Sequence, residues 1–129
     1  MASKQALVSL FNTKFSEFLG DLIQVFPEDK EFRQFKSSMT LLITIDEVKL
    51  HYIFNKVIQP YRTNILSKNE DFFLKASYDE LNDYQTSGVT GELINKLKTY
   101  WVELNDENHT IIWNYLTLLV KLSDRAASA

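Results

Sequence analysis

Cysteine is absent from this chain, which excludes a disulfide framework and thiolate chemistry. Glycine is scarce, with only Gly20, Gly88 and Gly91, so no glycine-rich loop can cradle a phosphate. No Gly-x-Ser-x-Gly elbow exposes a serine at a strained turn. Positive charge is not in excess. The formal net charge is -3, against broad nucleic-acid binding, which needs a basic surface to displace counterions. Long apolar runs are also missing. Leu41-Leu42-Ile43 and Leu118-Leu119-Val120 are three residues each. A membrane-spanning helix needs about 20. Ser9, Asn12, Thr13 and Lys14 interrupt any apolar block of a secretory signal. Asn108-His109-Thr110 matches a glycosylation sequon but falls at a predicted helix start. A soluble protein, neither membrane-inserted nor secreted by a signal peptide, is the expectation.

Aromatic residues are plentiful: nine Phe, six Tyr and two Trp in 129 residues. Disordered chains are poor in such residues, so a packed domain is expected. A chain of this size buries roughly two-thirds of its unfolded surface. One helical domain over residues 1–129 is the simplest organisation, with a loose tail at 126–129.

The spacing predicts a first helix from about Lys4 to Phe26. Val8, Phe11, Phe15, Phe18, Leu22 and Val25 recur at alternating three- and four-residue steps, which places them on one face. Leu7, Leu10, Leu19 and Ile23 widen that stripe. Gly20 weakens the helix by about 1 kcal/mol relative to Ala and leaves room for a neighbour. Pro27 ends the helix, because a proline pushes the preceding residue out of the α region.

A second helix is expected to take Pro27 in its first turn, with Glu28, Asp29 and Glu31 favouring its N-terminus. Phe32, Phe35, Met39 and Leu42 form its apolar face, and it is expected to fray at Ile43 to Ile45. Thr44 and Glu47 have capping-box spacing, with Asp46 an alternative cap. Val48, Ile53, Phe54, Val57 and Ile58 should bury a third helix that Pro60 kinks or ends. A turn or short helix follows over 61–66. Residues 67–91 mix turn formers with Phe72, Phe73, Leu74, Tyr78, Leu81 and Tyr84, and form the one irregular segment. A fourth helix then carries Leu93, Ile94, Leu97, Trp101 and Leu104, with a Glu92–Lys96 pair on its outside. Asn105 or Asp106 caps a fifth, which buries Ile112, Trp113, Leu116, Leu119 and Val120. The fold expected is all-α: a compact bundle of four to five mostly antiparallel helices.

Sites of chemistry are few. Glu47 and His51 are one helical turn apart and could supply two metal ligands. A catalytic zinc needs about three plus an open position, so an exposed acid–histidine pair is the plainer reading. Asp106, Glu107 and His109 cluster where a helix cap explains the acids. Asn69-Glu70-Asp71 likewise suits capping. Catalytic, cofactor and metal residues are therefore expected to be none, and no enzyme activity is expected.

Six of the nine Phe occur by Phe35, a surplus of aromatic surface for one small bundle. Aromatics dominate interface cores. Partner-binding candidates are Tyr61, Phe72, Phe73, Tyr78 and Tyr84, together with whatever part of Phe11, Phe15 and Phe18 stays uncovered.

Three stretches carry a resemblance. They are Val25-Phe26-Pro27-Glu28-Asp29-Lys30-Glu31-Phe32, then Asn69-Glu70-Asp71-Phe72-Phe73-Leu74, then Leu97-Lys98-Thr99-Tyr100-Trp101 ahead of Ile112-Trp113. Together they resemble small helical proteins encoded by large double-stranded DNA viruses of algae and protists (phycodnavirus-like), over roughly Phe11 to Leu122. The resemblance implies a virus-encoded protein without known enzyme activity, in the virion or the infected-cell cytoplasm. It implies a minor capsid or virion-associated component that binds capsid or other viral subunits, itself included. The competing expectation is a non-structural viral factor that grips a host or viral regulator through a helix-in-groove contact.

Overall fold

Ser3 starts the first helix: its hydroxyl accepts the Ala6 amide at 3.1 Å. In the computed structural model, which describes residues 3–70, 93 and 96–129, helix α1 spans Lys4–Val25. The predicted seam turns inward, and Val8, Phe11, Phe15, Phe18 and Leu22 are buried. Leu10 departs from expectation and points outward, because Leu7, Phe11 and Val8 already fill the inner face there. The Phe26 amide closes the helix on the Leu22 carbonyl at 2.9 Å, just ahead of Pro27.

Helix α2 spans Lys30–Ile45. Pro27 lies in the preceding turn rather than in the helix, and Asp29 caps α2 by accepting the Glu31 amide at 2.9 Å. Phe32, Phe35 and Met39 are buried, while Leu42 is only half-buried. The helix does not fray at Ile43; it continues to Ile45 and closes with the Asp46 amide on the Leu42 carbonyl. The expected Thr44–Glu47 capping box is therefore absent. The Thr44 hydroxyl donates back to the Thr40 carbonyl within α2, and Asp46 organises the corner by accepting the Val48 amide.

Helix α3 spans Lys49–Ile58 and buries Leu50, His51, Phe54, Val57 and Ile58. Val48 was expected inside, but it caps α3 from the exposed side. A 3-10 turn at Gln59–Tyr61 leads into the short α4, Arg62–Leu66. Lys68 follows with a φ of 54°. Its amide bonds the Ile65 carbonyl, a left-handed helix stop made without glycine. Residues 96–100 are helical, and a 3-10 turn covers Trp101–Glu103. Asn105 then caps α5, Asp106–Ser128, by accepting the Asn108 amide at 2.8 Å. The tail expected to be loose belongs to this helix: Ala126 is fully buried.

α1 is the central helix and packs on both α5 and α2. Phe18 stacks on Tyr115, and Phe11 meets the His51 ring that reaches Ser123, so α1 and α5 run antiparallel. Phe26 stacks on Phe32 across the α1–α2 turn, and the two helices fold back on each other. α3 covers the N-terminal half of α1 through Phe54, whose ring lies 5.0 Å from Phe11 and 6.2 Å from Phe15. Trp101 fills the other end, edge-on to Trp113 at 5.5 Å. The all-α bundle is as expected. Among the described residues, no helix is long and apolar enough to cross a membrane.

Gly20 faces α2, and a Cβ placed there would stand 3.6 Å from the Lys36 ammonium. That is ordinary contact with the end of a flexible side chain. The helix neither needs the glycine's freedom nor is crowded at it. Gly20→Ala is expected to stabilise the protein by about 0.5–1 kcal/mol, read as a Tm rise of a few degrees in thermal unfolding.

Candidate functional site

Three polar clusters and one apolar surface stand out among the described residues. The first cluster joins α3 to α5. His51 Nε2 lies 3.2 Å from the Ser123 carbonyl and 3.1 Å from its hydroxyl, both in the core. A carbonyl only accepts, so Nε2 carries a proton and donates. The Ser123 hydroxyl in turn donates to Asn55 Oδ1 at 3.1 Å. This pair ties α3 to α5 through the core. The exposed acid–histidine pair expected at Glu47 and His51 is corrected by the same geometry. His51 is buried against Phe11, while Glu47 stays outside, accepting Asn12 Nδ2 on its backbone carbonyl at 2.9 Å. Among the described residues, no three His, Asp or Glu side chains converge as a metal site would need.

The second cluster joins two of the stretches that carried the resemblance. Asp29 Oδ2 accepts the Tyr100 hydroxyl at 2.5 Å and lies 2.9 Å from Lys96 Nζ. Lys96 also reaches Glu31 at 3.2 Å. The Glu92 partner expected for Lys96 lies outside the described residues. Phe26 stacks on Tyr100 at 4.2 Å and seals the inner side. The Asp29 side chain is only 9% exposed. Burial opposes its charge, yet the Tyr100 hydroxyl, the Lys96 ammonium and the Glu31 amide together hold its pKa below the ordinary value. Burial works against the charge on Lys96 too, but Asp29 and Glu31 outweigh it and raise that pKa. The hydrogen bond to Asp29, then burial, raises Tyr100. An open cleft of about 600 Å³ adjoins the cluster, beside Pro27 and Glu28. Asp29, Lys96 and Tyr100 are matched by one another, while Glu28 and Lys30 also line the cleft.

The third cluster is at the start of α5. The His109 ring stacks on Trp101 at 4.0 Å, and its Nε2 donates to the Trp101 carbonyl at 2.7 Å. Its Nδ1 stands 4.0 Å from Glu70. Asp106 and Glu107 occupy the first turn of α5, as the capping view expected, although Asn105 makes the cap itself. Elsewhere Tyr115 donates to Asp21 at 2.6 Å, and this bond, with burial, pushes the phenol up to about 12.

The apolar surface lies at the α2–α3 corner. Leu41 is 61% exposed and Ile45 76%, with Val48 and Tyr52 about half exposed. Leu41 and Ile45 are one turn apart on α2. Val48, the N-cap of α3, and Tyr52 within α3 are one turn apart, linked by the Tyr52 amide and the Val48 carbonyl. Lys49 and Lys56 reach over the Tyr52 ring at 5.8 and 4.6 Å. Leu10, Val102 and Leu118 are the other large apolar side chains exposed among the described residues.

The residues expected to bind a partner fare differently. Phe11, Phe15 and Phe18 are at most 1% exposed, so no remainder of the seam is left for a partner. Tyr61 is half-buried against the core. Phe72, Phe73, Tyr78 and Tyr84 lie outside the described residues. The exposure of Leu41 and Ile45 was not anticipated. A signal existed: Leu41-Leu42-Ile43 and Ile45 wrap around α2, and one helix cannot bury its whole circumference against two neighbours.

No family model, curated protein or solved structure matches this chain.

Proposed function

We propose that this protein works through contact rather than catalysis, as a non-enzymatic structural or interaction protein. The observation that supports this is the apolar corner formed by Leu41, Ile45, Val48 and Tyr52. Full burial of one such side chain is worth roughly 1.5–3 kcal/mol, so a partner that covers several of them gains usable affinity. Lys49 and Lys56 rim the corner and set the register of what docks there. The resemblance to small virus-encoded helical proteins supplies the setting: a minor capsid or virion-associated component that adheres to neighbouring subunits.

Quantitative mass spectrometry of purified particles tests this reading. The expected result is a fixed copy ratio to the main shell protein. Ile45→Asp, which changes an exposed side chain, is expected to lower that ratio while the far-UV circular dichroism stays unchanged. Presence in infected cells with absence from particles would overturn the structural role and favour the non-structural factor.

A further inference from the structure

Two surfaces of this chain are complementary to each other. The first is a groove of about 580 Å³ between α1 and α2. Ile23 and Leu41 give it apolar walls, Ser37 and Thr44 give it hydroxyls, and Arg33 and Lys36 give it positive charge. Arg33 donates to the Pro27 carbonyl, and Lys36 extends toward Gly20. Among the described residues, neither cation pairs with a carboxylate.

The second surface is the turn between residues 100 and 107. Val102 is 75% exposed, beside Glu103, Asp106 and Glu107, which are all exposed. None of these acids pairs with a cation among the described residues. Asp106 and Glu107 favour the N-terminus of α5, which accounts for their presence there. That does not account for Glu103 or for the exposed valine that precedes it. An exposed apolar side chain with acids close by in the chain complements an apolar groove lined by positive charge.

We propose that a second copy of this chain is the occupant: its Val102 knob enters the α1–α2 groove, with Glu103 and Glu107 against Arg33 and Lys36. This rests on the interaction reading and names its partner. Because the two surfaces differ, a single such contact is head-to-tail and propagates into a ring or an open row of subunits, unless two copies exchange it reciprocally about a two-fold axis. Both patches are small beside the roughly 800 Å² per partner of a standard stable interface, so the contact is weak singly and accumulates by repetition. Its ion pairs are exposed, so salt weakens it.

Sedimentation of the full chain over a concentration series at low salt tests the proposal. The wild type is expected to grow in mass with concentration, and less so at high salt. The charge reversals Arg33→Glu/Lys36→Glu and Glu103→Lys/Glu107→Lys are each expected to weaken association by about tenfold or more. Mixing the two variants in equal amounts, or combining all four changes in one chain, restores it. Unchanged circular dichroism and Tm show that each variant is folded. A monomeric wild type would overturn the proposal, as would reversals without effect or a mixture that fails to recover. Self-association that survives the reversals indicates a symmetric dimer through another face, and also overturns it. None of these outcomes decides whether the protein enters particles, so the two readings can fail separately.

Discussion

Phe11→Ala is expected to lower the unfolding free energy by about 3–5 kcal/mol. The Phe11 side chain is fully buried and meets rings from both its own helix and α3: Phe15 at 5.9 Å, Phe54 at 5.0 Å and His51 at 5.3 Å. His51 is itself tied to Ser123 on α5, so the wall on that side cannot collapse into the gap. Domains of this kind are stable by roughly 5–15 kcal/mol, and the variant therefore approaches the unfolding threshold at physiological temperature. Urea unfolding followed by tryptophan fluorescence measures the loss. Leu10→Ala, one residue earlier but exposed, provides the contrast and is expected to lose under about 1 kcal/mol. A Phe11→Ala loss as small as that of Leu10→Ala would contradict a seam spent on the core.

Asp29→Ala is expected to destabilise by about 2–4 kcal/mol at neutral pH. The cap on α2 contributes about 1 kcal/mol, and a hydrogen bond to a charged group about 1.5–3 kcal/mol. Lys96 keeps Glu31 at 3.2 Å, so its charge is not stranded and the loss stays below that of a broken buried pair. The pH dependence follows from the directions of the shifts. Asp29 is held below the ordinary carboxylate value of about 3.9, so its contribution is present above that value. It is lost as pH falls through the lower folded pKa. Lys96 and Tyr100 are raised, so their contributions are present below about 10 and are lost as pH rises through the folded values. Stability is expected to show a broad plateau with falling limbs on both sides. Asp29→Asn should flatten both limbs, read as urea midpoints across the pH range. An unaltered acid limb would mean that another carboxylate controls it.

The first helix was the most legible element, because aromatic residues at steps of three and four admit one helical face and no strand. The C-terminal helix was nearly as clear, from Asn105 to its apolar stripe. Less legible was the α2–α3 corner. Leu41, Leu42, Ile43 and Ile45 offer apolar groups all around a helix, and local periodicity cannot choose among them. Docking of α1 and α3 decides it, half-burying Leu42 and Ile43 and leaving Leu41 and Ile45 outside. His51 shows the same limit. Beside Glu47 it has the spacing of a surface pair, but Ser123, 72 residues later in sequence, turns it into a core group. The tie between Asp29 and Tyr100 spans 71 residues and had no local signal beyond Asp29's place at a helix start.

The amino-acid order alone determined the helical class, the near-boundaries of the long helices and the absence of cysteine or glycine-loop chemistry. These follow from the 3.6-residue period, from capping and from composition, all of which act within a few residues. Which apolar residues remain outside, which charges find partners and where the complementary groove and knob lie were decided only by the tertiary structure. Burial and ion pairing depend on residues far apart in the chain, and packing alone brings them together.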